Sequence, residues 1–459
     1  MEYNCSDIVK AQKDFFKSRK TQGVHYRKNS LKKLLKEVKK RENDICKALY
    51  ADFKKPEFEA VLTETGIIIT ELKLAIKKLK SWARPKRVFP ALLNFPSSDR
   101  IHSEPYGTTL IIAPWNYPFQ LALAPLIGAV AAGNTVVLKP SELTPNTSQI
   151  LEEIITEVFD ENHVKVVQGG VETSQELLAE RWDYIFFTGS VNVGKIIAKA
   201  AAPNLTPVTL ELGGKNPCIV DLHSDFKLTA KRIVWGKFLN AGQTCIAPDY
   251  LIVQAQAKFD FLKVLIEEIQ LAYGENPKES TDYTRIINEK NFDRLAKMLE
   301  NQEVLHGGIV DKDDLYIAPT LLDEPDLDSD VMLEEIFGPI LPIQVYSTLE
   351  DISNIIANYE KPLALYVFSK DQKFANRMIT RHSFGGGAIN DTVVHFVNHR
   401  MPFGGVGHSG IGAYHGKGSF DAFSHKKSIT KRGTWLDIPV RYAPYKGKLK
   451  LLKTFIKYF

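Results

Sequence analysis

The chain has 459 residues, 44% of them hydrophobic, which is too much for one simple core and enough for two or three domains of about 150 residues each. Lys and Arg total 59 against 54 Asp and Glu, a net charge of +5. So even a balance lacks the basic stripe of a dedicated nucleic-acid binder. Four cysteines (Cys5, Cys46, Cys218 and Cys245) with no two-residue spacing argue against a zinc knuckle, a redox pair or a disulfide framework, and for a reducing compartment.

Residues 1 to 80 read as helices, because apolar residues recur three and four apart in LKKLLKEVKK and ELKLAIKKLK. The first residues hold no apolar run of the signal-peptide kind. The longest apolar stretch, 121–132, is shorter than the roughly 20 residues a bilayer span needs. A soluble cytoplasmic protein is expected. Between Trp82 and Arg100 the prolines Pro85, Pro90 and Pro96 read as a linker, or as an arm reaching another domain or subunit. Short β-branched or aromatic runs then alternate with helix-like stretches: 108–112, 135–138, 164–167, 184–187 and 208–210. This predicts an α/β fold with a parallel sheet that binds nucleotides at its carboxyl ends. After Leu212 the pattern restarts with NPCIVDL, YLIVQA, PILPIQVYS and LALYVFS, a second α/β domain. Two glycine-rich loops, 385–387 and 404–412, are expected at its open edge.

Three short stretches carry candidate chemistry. GQTC at 242–245 sets Cys245 among small polar residues, which suits an accessible sulfur better than a packed one; reactivity also needs a lowered pKa. ELGGKNP puts Glu211 at an expected strand end with Gly213 and Gly214 behind it; in a cleft this Glu serves as a general base. PWNYP holds Asn116 near two prolines, a stiff loop and a preorganised donor for an oxyanion.

FTGSVNVG from Phe187, LELGGKNP from Leu210, GQTC from Gly242, EEIFGP from Glu334 and PFGGVGHSG from Pro402 stand in the order of the aldehyde dehydrogenase superfamily, which the chain resembles over nearly its whole length. WNYPFQL, GQTCIAPDY and YHGKGSFDAFSH look like its class 3, fatty or medium-chain, branch. The resemblance implies a Rossmann-like cofactor domain (1–82 and 101–212), an α/β catalytic domain (213–412), a small β bridging element (83–100 and 413–433) and a C-terminal tail (434–459). It makes Cys245 the nucleophile, Glu211 the base and Asn116 the side-chain half of an oxyanion hole. Lys139 and Glu142 would hold the adenosine ribose, and Glu335 the nicotinamide ribose with Phe337 beside the ring. Gly189, Ser190 and Gly194 would meet the pyrophosphate. NAD is the expected cofactor, with NADP as the second option; a small-molecule aldehyde is the expected partner, and a homodimer the expected assembly. The rivals are a coenzyme A-acylating relative, a phosphosugar aldehyde dehydrogenase and a non-catalytic protein on the same fold.

Some features point elsewhere. GVGHSG at 405–410 matches a dinucleotide fingerprint, but no strand precedes it in a strand–helix–strand unit. His395 and His399 have helical metal-ligand spacing without enough further ligands, so no metal is expected. Cys218 reads as core. In the tail, Leu449, Leu452, Phe455, Ile456 and Phe459 oppose Lys446, Lys450, Lys453 and Lys457. This is a helix docked on the protein or a basic amphipathic helix on an anionic membrane.

Overall fold

The computed structural model describes residues 4–91 and 94–457; Phe459 and the side chain of Phe455 lie outside the described set. The N-terminal region is helical for the expected reason. In the helix Val24–Lys40, Leu31, Leu34 and Val38 are fully buried while the intervening lysines face out, each buried leucine contributing about 1.5–3 kcal/mol. One feature has no sequence signature: between Glu57–Ala60 and Gly66–Trp82 the chain makes a π-helical turn, Val61–Thr65.

The first sheet has six strands in the order Gly410–Ile411, Val208–Glu211, Tyr184–Thr188, Thr108–Ile112, Thr135–Lys139, Val164–Val166. The last five are mutually parallel. Their order reverses between Thr108–Ile112 and Tyr184–Thr188, the crevice where such sheets take ligands. The helix Gln120–Ala132 is buried along its whole length under the N-terminal helices. Gly128 lets it approach the helix Lys417–Ala422: a Cβ there would stand 2.7 Å from Ser419 Cβ.

The second sheet runs Val304–His306, Thr320–Asp323, Ile340–Tyr346, Tyr250–Gln254, Pro217–Val220, Ala364–Phe368, Gly386–Ile389, parallel except for its first strand. Cys218 is fully buried within it. The chain leaves the carboxyl end of the first sheet at Glu211 and enters the amino end of the second at Pro217. The two edges therefore face one another across LGGKN.

A third, antiparallel sheet joins Lys86–Val88, Ser97–Pro105 and Ser424–Arg432. The arm with the three prolines is thus partly strand. Phe420, Asp421 and Ala422 close the helix Lys417–Ala422, and strand pairing starts at Ser424. The glycine-rich loops also divide. Gly386–Ile389 is the edge of the second sheet, but Gly410–Ile411 pairs antiparallel with Val208–Glu211 and closes the first. In the tail helix Leu449–Lys457, Leu449, Leu451, Leu452 and Ile456 are exposed. Nothing of the rest of the chain, among the described residues, covers these four side chains. Among the described residues no helix is long and apolar enough to cross a membrane.

Candidate active site

Cys245 is delivered by a sharp reversal. The helix Phe226–Phe238 starts on Asp225, whose side chain accepts from Leu228 N–H, and buries Ile233, Val234 and Phe238. It runs into the turn Leu239–Gly242, where Asn240 (φ 56°) and Ala241 (φ 51°) are both left-handed. Non-glycine residues seldom adopt that conformation, and such strain persists only where the surroundings over-determine it. At Gly242 (φ +72°) a Cβ would lie 2.2 Å from Gly338 O, so only glycine fits. Gln243 anchors the far side. Its amide donates to Asn240 O (3.1 Å) and Arg285 O (3.0 Å), and its Oε1 accepts from Ile287 N–H (3.0 Å). Asn216 Nδ2 donates to Cys245 O (2.7 Å) and Ala247 O (3.0 Å). Cys245 itself is partly exposed.

Asn116 joins the same loop from the first sheet. Its Nδ2 donates to Gln243 O (3.1 Å), and its backbone O accepts from Asn240 Nδ2 (2.9 Å), which also reaches Gln243 O (3.2 Å). One amide proton of Asn116 is thereby committed and the other is free. Next to it, the Tyr117 hydroxyl meets Thr244 Oγ1 at 2.6 Å, one residue before the cysteine.

Two acids face this sulfur. Glu211 ends its strand, is buried, and among the described residues has neither carboxylate oxygen partnered. Burial alone pushes its pKa well above the carboxylate range. Glu335 is half-buried as a residue, but its carboxyl is desolvated. That desolvation, with the Asp249 charge, raises its pKa to about 8, against a Gly214 N–H and the charges of Lys215 and Arg294. Gly213 makes its seat possible, since a Cβ there would stand 2.0 Å from Glu335 Oε2. Burial first, then the charges of Glu335 and Glu211, push the Cys245 thiol up to about 12, while the N–H groups of Cys245 and Ile246 work the other way. Burial thus opposes ionisation of the thiol and of both acids in the resting site.

The other expected residues lie along the carboxyl edge of the first sheet or across from it. Lys139 ends a strand, is buried, and pairs with Glu142 Oε2 at 2.9 Å. Burial works to raise the Glu142 pKa, but the Lys139 hydrogen bond and charge outweigh it and hold that carboxyl low. Ser190 is the N-cap of the helix Val191–Ala201. Gly189 and Gly194 lie where a Cβ would meet the Phe187 ring at 2.5 Å and Leu212 Cδ2 at 2.7 Å, so both also serve close packing. Phe337 is left-handed (φ 49°) and meets the Trp115 ring edge-on at 5.3 Å. Its segment is held from two sides. The Ile336 N–H donates to Asp249 (3.0 Å), which pairs with Lys215 (2.5 Å), and Arg294 donates to Ile336 O (2.6 Å).

The sequence motifs therefore converge, but the residues that fix them were not marked in advance. Asn216 and Gln243 sit inside quoted motifs without having been singled out, and Asn240 precedes the Ala–Gly pair where a turn former is natural. His395 lies in a short 3-10 turn, Val394–Val397, and stacks on Phe403. The four-residue spacing to His399 is thus not carried on an α-helix. Among the described residues no group of three or more His, Cys, Asp or Glu could hold a metal ion.

Known proteins share this sequence and fold. Residues 2–429 match the aldehyde dehydrogenase family. A 4,4'-diaponeurosporen-aldehyde dehydrogenase of Staphylococcus aureus is 50% identical over 447 residues, 97% of each chain. A dimeric NADP-preferring aldehyde dehydrogenase of Canis lupus familiaris is 44% identical over 97% of this chain and 98% of its own. Among solved structures, the substrate-bound state of Staphylococcus aureus AldH superposes with a TM-score of 0.97 at 49% identity, covering 99% of this chain and 100% of that one. On this match over residues 2–429 and these identities across nearly the whole length, the chain belongs to the aldehyde dehydrogenase family.

Proposed function

We propose that this aldehyde dehydrogenase oxidises an apolar aldehyde, of medium or long aliphatic, aromatic or terpenoid type, to the free carboxylic acid through a thioester on Cys245. The observation that carries the reading is the buried, unpartnered carboxyl of Glu211 in the same desolvated cleft as Cys245 and the spare N–H of Asn116. Buried polar groups are ordinarily satisfied, and one left open beside a nucleophile is available for proton transfer. Cys245 Sγ, its proton passed through solvent, adds to the carbonyl carbon. Asn116 Nδ2 and the Cys245 N–H receive the oxyanion, each such donor typically supplying about 2.7–4 kcal/mol. Collapse of the adduct releases hydride, for which NAD, when bound, supplies the acceptor. Glu211 then takes a proton from the water that attacks the thioester. A base at this position favours hydrolysis over transfer to coenzyme A. The name of the S. aureus relative fits an apolar aldehyde.

The residues present fit a dinucleotide. The helix Val191–Ala201 starts at the carboxyl edge of the first sheet, where free N–H groups suit a pyrophosphate; Gly189, Ser190 and Gly194 form that start. Lys139 and Glu142 would hold the adenosine ribose. Glu335 would hold the nicotinamide ribose, with Phe337 beside the ring. The Glu142 carboxyl, kept ionised by Lys139, accepts from a ribose hydroxyl and repels a 2′-phosphate. NAD is therefore placed ahead of NADP, although the canine relative is named NADP-preferring. Residues 1–82 and 101–212 form the cofactor domain in this reading, and 213–412 the catalytic domain. Residues 83–100 and 413–433 bridge two subunits of a homodimer, in keeping with that relative's "dimeric" name. The exposed apolar face of the tail, beside Lys450, Lys453 and Lys457, supports peripheral membrane contact.

The test is product analysis with decanal and either cofactor. One decanoate per reduced cofactor is expected, with higher kcat/KM for NAD and no turnover in Cys245→Ala. Decanoyl-coenzyme A as the main product when coenzyme A is added, or turnover in Cys245→Ala, overturns the reading. For the tail, a chain ended at Gly433 should bind anionic liposomes less than the full chain does; equal binding removes the membrane contact.

A further inference from the structure

The two loops that build the site are tied together from beneath by charged side chains of the N-terminal helices, none of which lies in a family motif quoted above. Lys55 and Glu64 form an ion pair (2.7 Å) with both side chains at 0% exposure. The second oxygen of Glu64 accepts from the Phe119 and Gln120 N–H groups at 3.0 and 2.9 Å. These are the free donors at the start of the helix Gln120–Ala132, immediately beyond the loop that carries Asn116. Lys55 Nζ also stands 4.1 Å from the centre of the Tyr117 ring, whose hydroxyl meets Thr244. From the other side, Glu59 Oε2 accepts from the Asn240 N–H (3.0 Å) and the Thr284 hydroxyl (3.5 Å). Asn240 is the first of the two left-handed residues before Cys245, and it donates to Asn116 O.

A buried ion pair is weak evidence for stability, because well-packed apolar residues often do as well. What apolar residues cannot supply is direction. Glu64 and Glu59 place fixed acceptors on three backbone donors, two after Asn116 and one at the left-handed turn. The π-helical turn Val61–Thr65 turns Thr63, Glu64 and Thr65 inward together; such turns recur at functional sites.

We propose that Glu64, with Lys55 and Glu59, is a positioning residue that sets the aim of Asn116 at the oxyanion. The proposal rests on the oxyanion role given to Asn116 above. Glu64 does not touch substrate; it acts through Asn116, and its effect should disappear when Asn116 is gone.

A double-mutant cycle reads this directly. Wild type, Glu64→Gln, Asn116→Ala and the combination are assayed with decanal at saturating NAD, and their thermal melting is recorded. Asn116→Ala should lower kcat about 100-fold, and Glu64→Gln about 10-fold with KM for decanal within about 2-fold, because the contact is made in the transition state. The combination should fall no more than about 2-fold below Asn116→Ala alone. Losses that multiply overturn the proposal, since a merely structural role is indifferent to Asn116. So does a wild-type kcat in Glu64→Gln. A wild-type kcat in Asn116→Ala instead overturns the oxyanion role itself. If Glu64→Gln does not fold, the pair Lys55→Met with Glu64→Gln leaves no lone buried charge and carries the same cycle. Glu59→Gln, which keeps an acceptor for the Asn240 N–H, should lose less than Glu59→Ala; equal losses contradict the part given to Glu59.

Discussion

Two buried carboxylates flank the same cleft and have opposite surroundings. Glu64 is enclosed by Lys55 and two backbone N–H groups. Glu211, also buried, has no partner on either oxygen among the described residues. A buried acid with both oxygens partnered holds its neighbours in place. A buried acid without partners is unstable as an anion and exchanges its proton easily with whatever enters beside it. The fold thus keeps its rigid charges under the loops and leaves its reactive one open at their rim.

Stability separates the two most strongly. Lys55→Met leaves Glu64 as a buried, uncompensated charge and should cost about 3–5 kcal/mol in denaturant unfolding; a loss below about 1 kcal/mol would show that the pair is not enclosed in solution. Glu211→Leu removes an unsatisfied carboxyl and should instead raise stability by about 1 kcal/mol while ending turnover, as substitutions at strained functional positions do. A destabilised Glu211→Leu protein would mean that its carboxyl has partners. The smallest effect is on the sulfur. With its pKa pushed up to about 12 by burial and by Glu335 and Glu211, Cys245 in the cofactor-free enzyme should be alkylated by iodoacetamide at a rate still climbing at about pH 10. Removing a negative charge favours the thiolate, so Glu335→Gln should move that profile toward lower pH. An unmoved profile would separate Glu335 from the sulfur.

The division also explains what could be read along the chain. Cys245, Glu211 and Asn116 sit in short runs whose glycines and prolines are needed locally, as Gly242 against Gly338 O shows; such needs leave a mark at the position itself. The braces leave none. Glu64 serves amides 55 and 56 residues away and Glu59 one 181 away, so only the folded chain reveals their partners. The five parallel strands of the first sheet and four of the second sheet's seven were legible from their apolar runs. The edge strand Gly410–Ile411 was not, because two residues carry no period and their pairing with Val208–Glu211 is settled by tertiary contact.

The unpartnered carboxyl of Glu211, in the proposed mechanism, is the base that frees the acid from Cys245. A stopped-flow burst with Glu211→Gln, decanal and NAD tests it most directly. Acylation should proceed, giving about one reduced cofactor per site before turnover stalls, with the decanoyl group found on Cys245 by mass spectrometry. Steady turnover at the wild-type rate, with no acyl group on Cys245, would contradict the account and take the base role from Glu211.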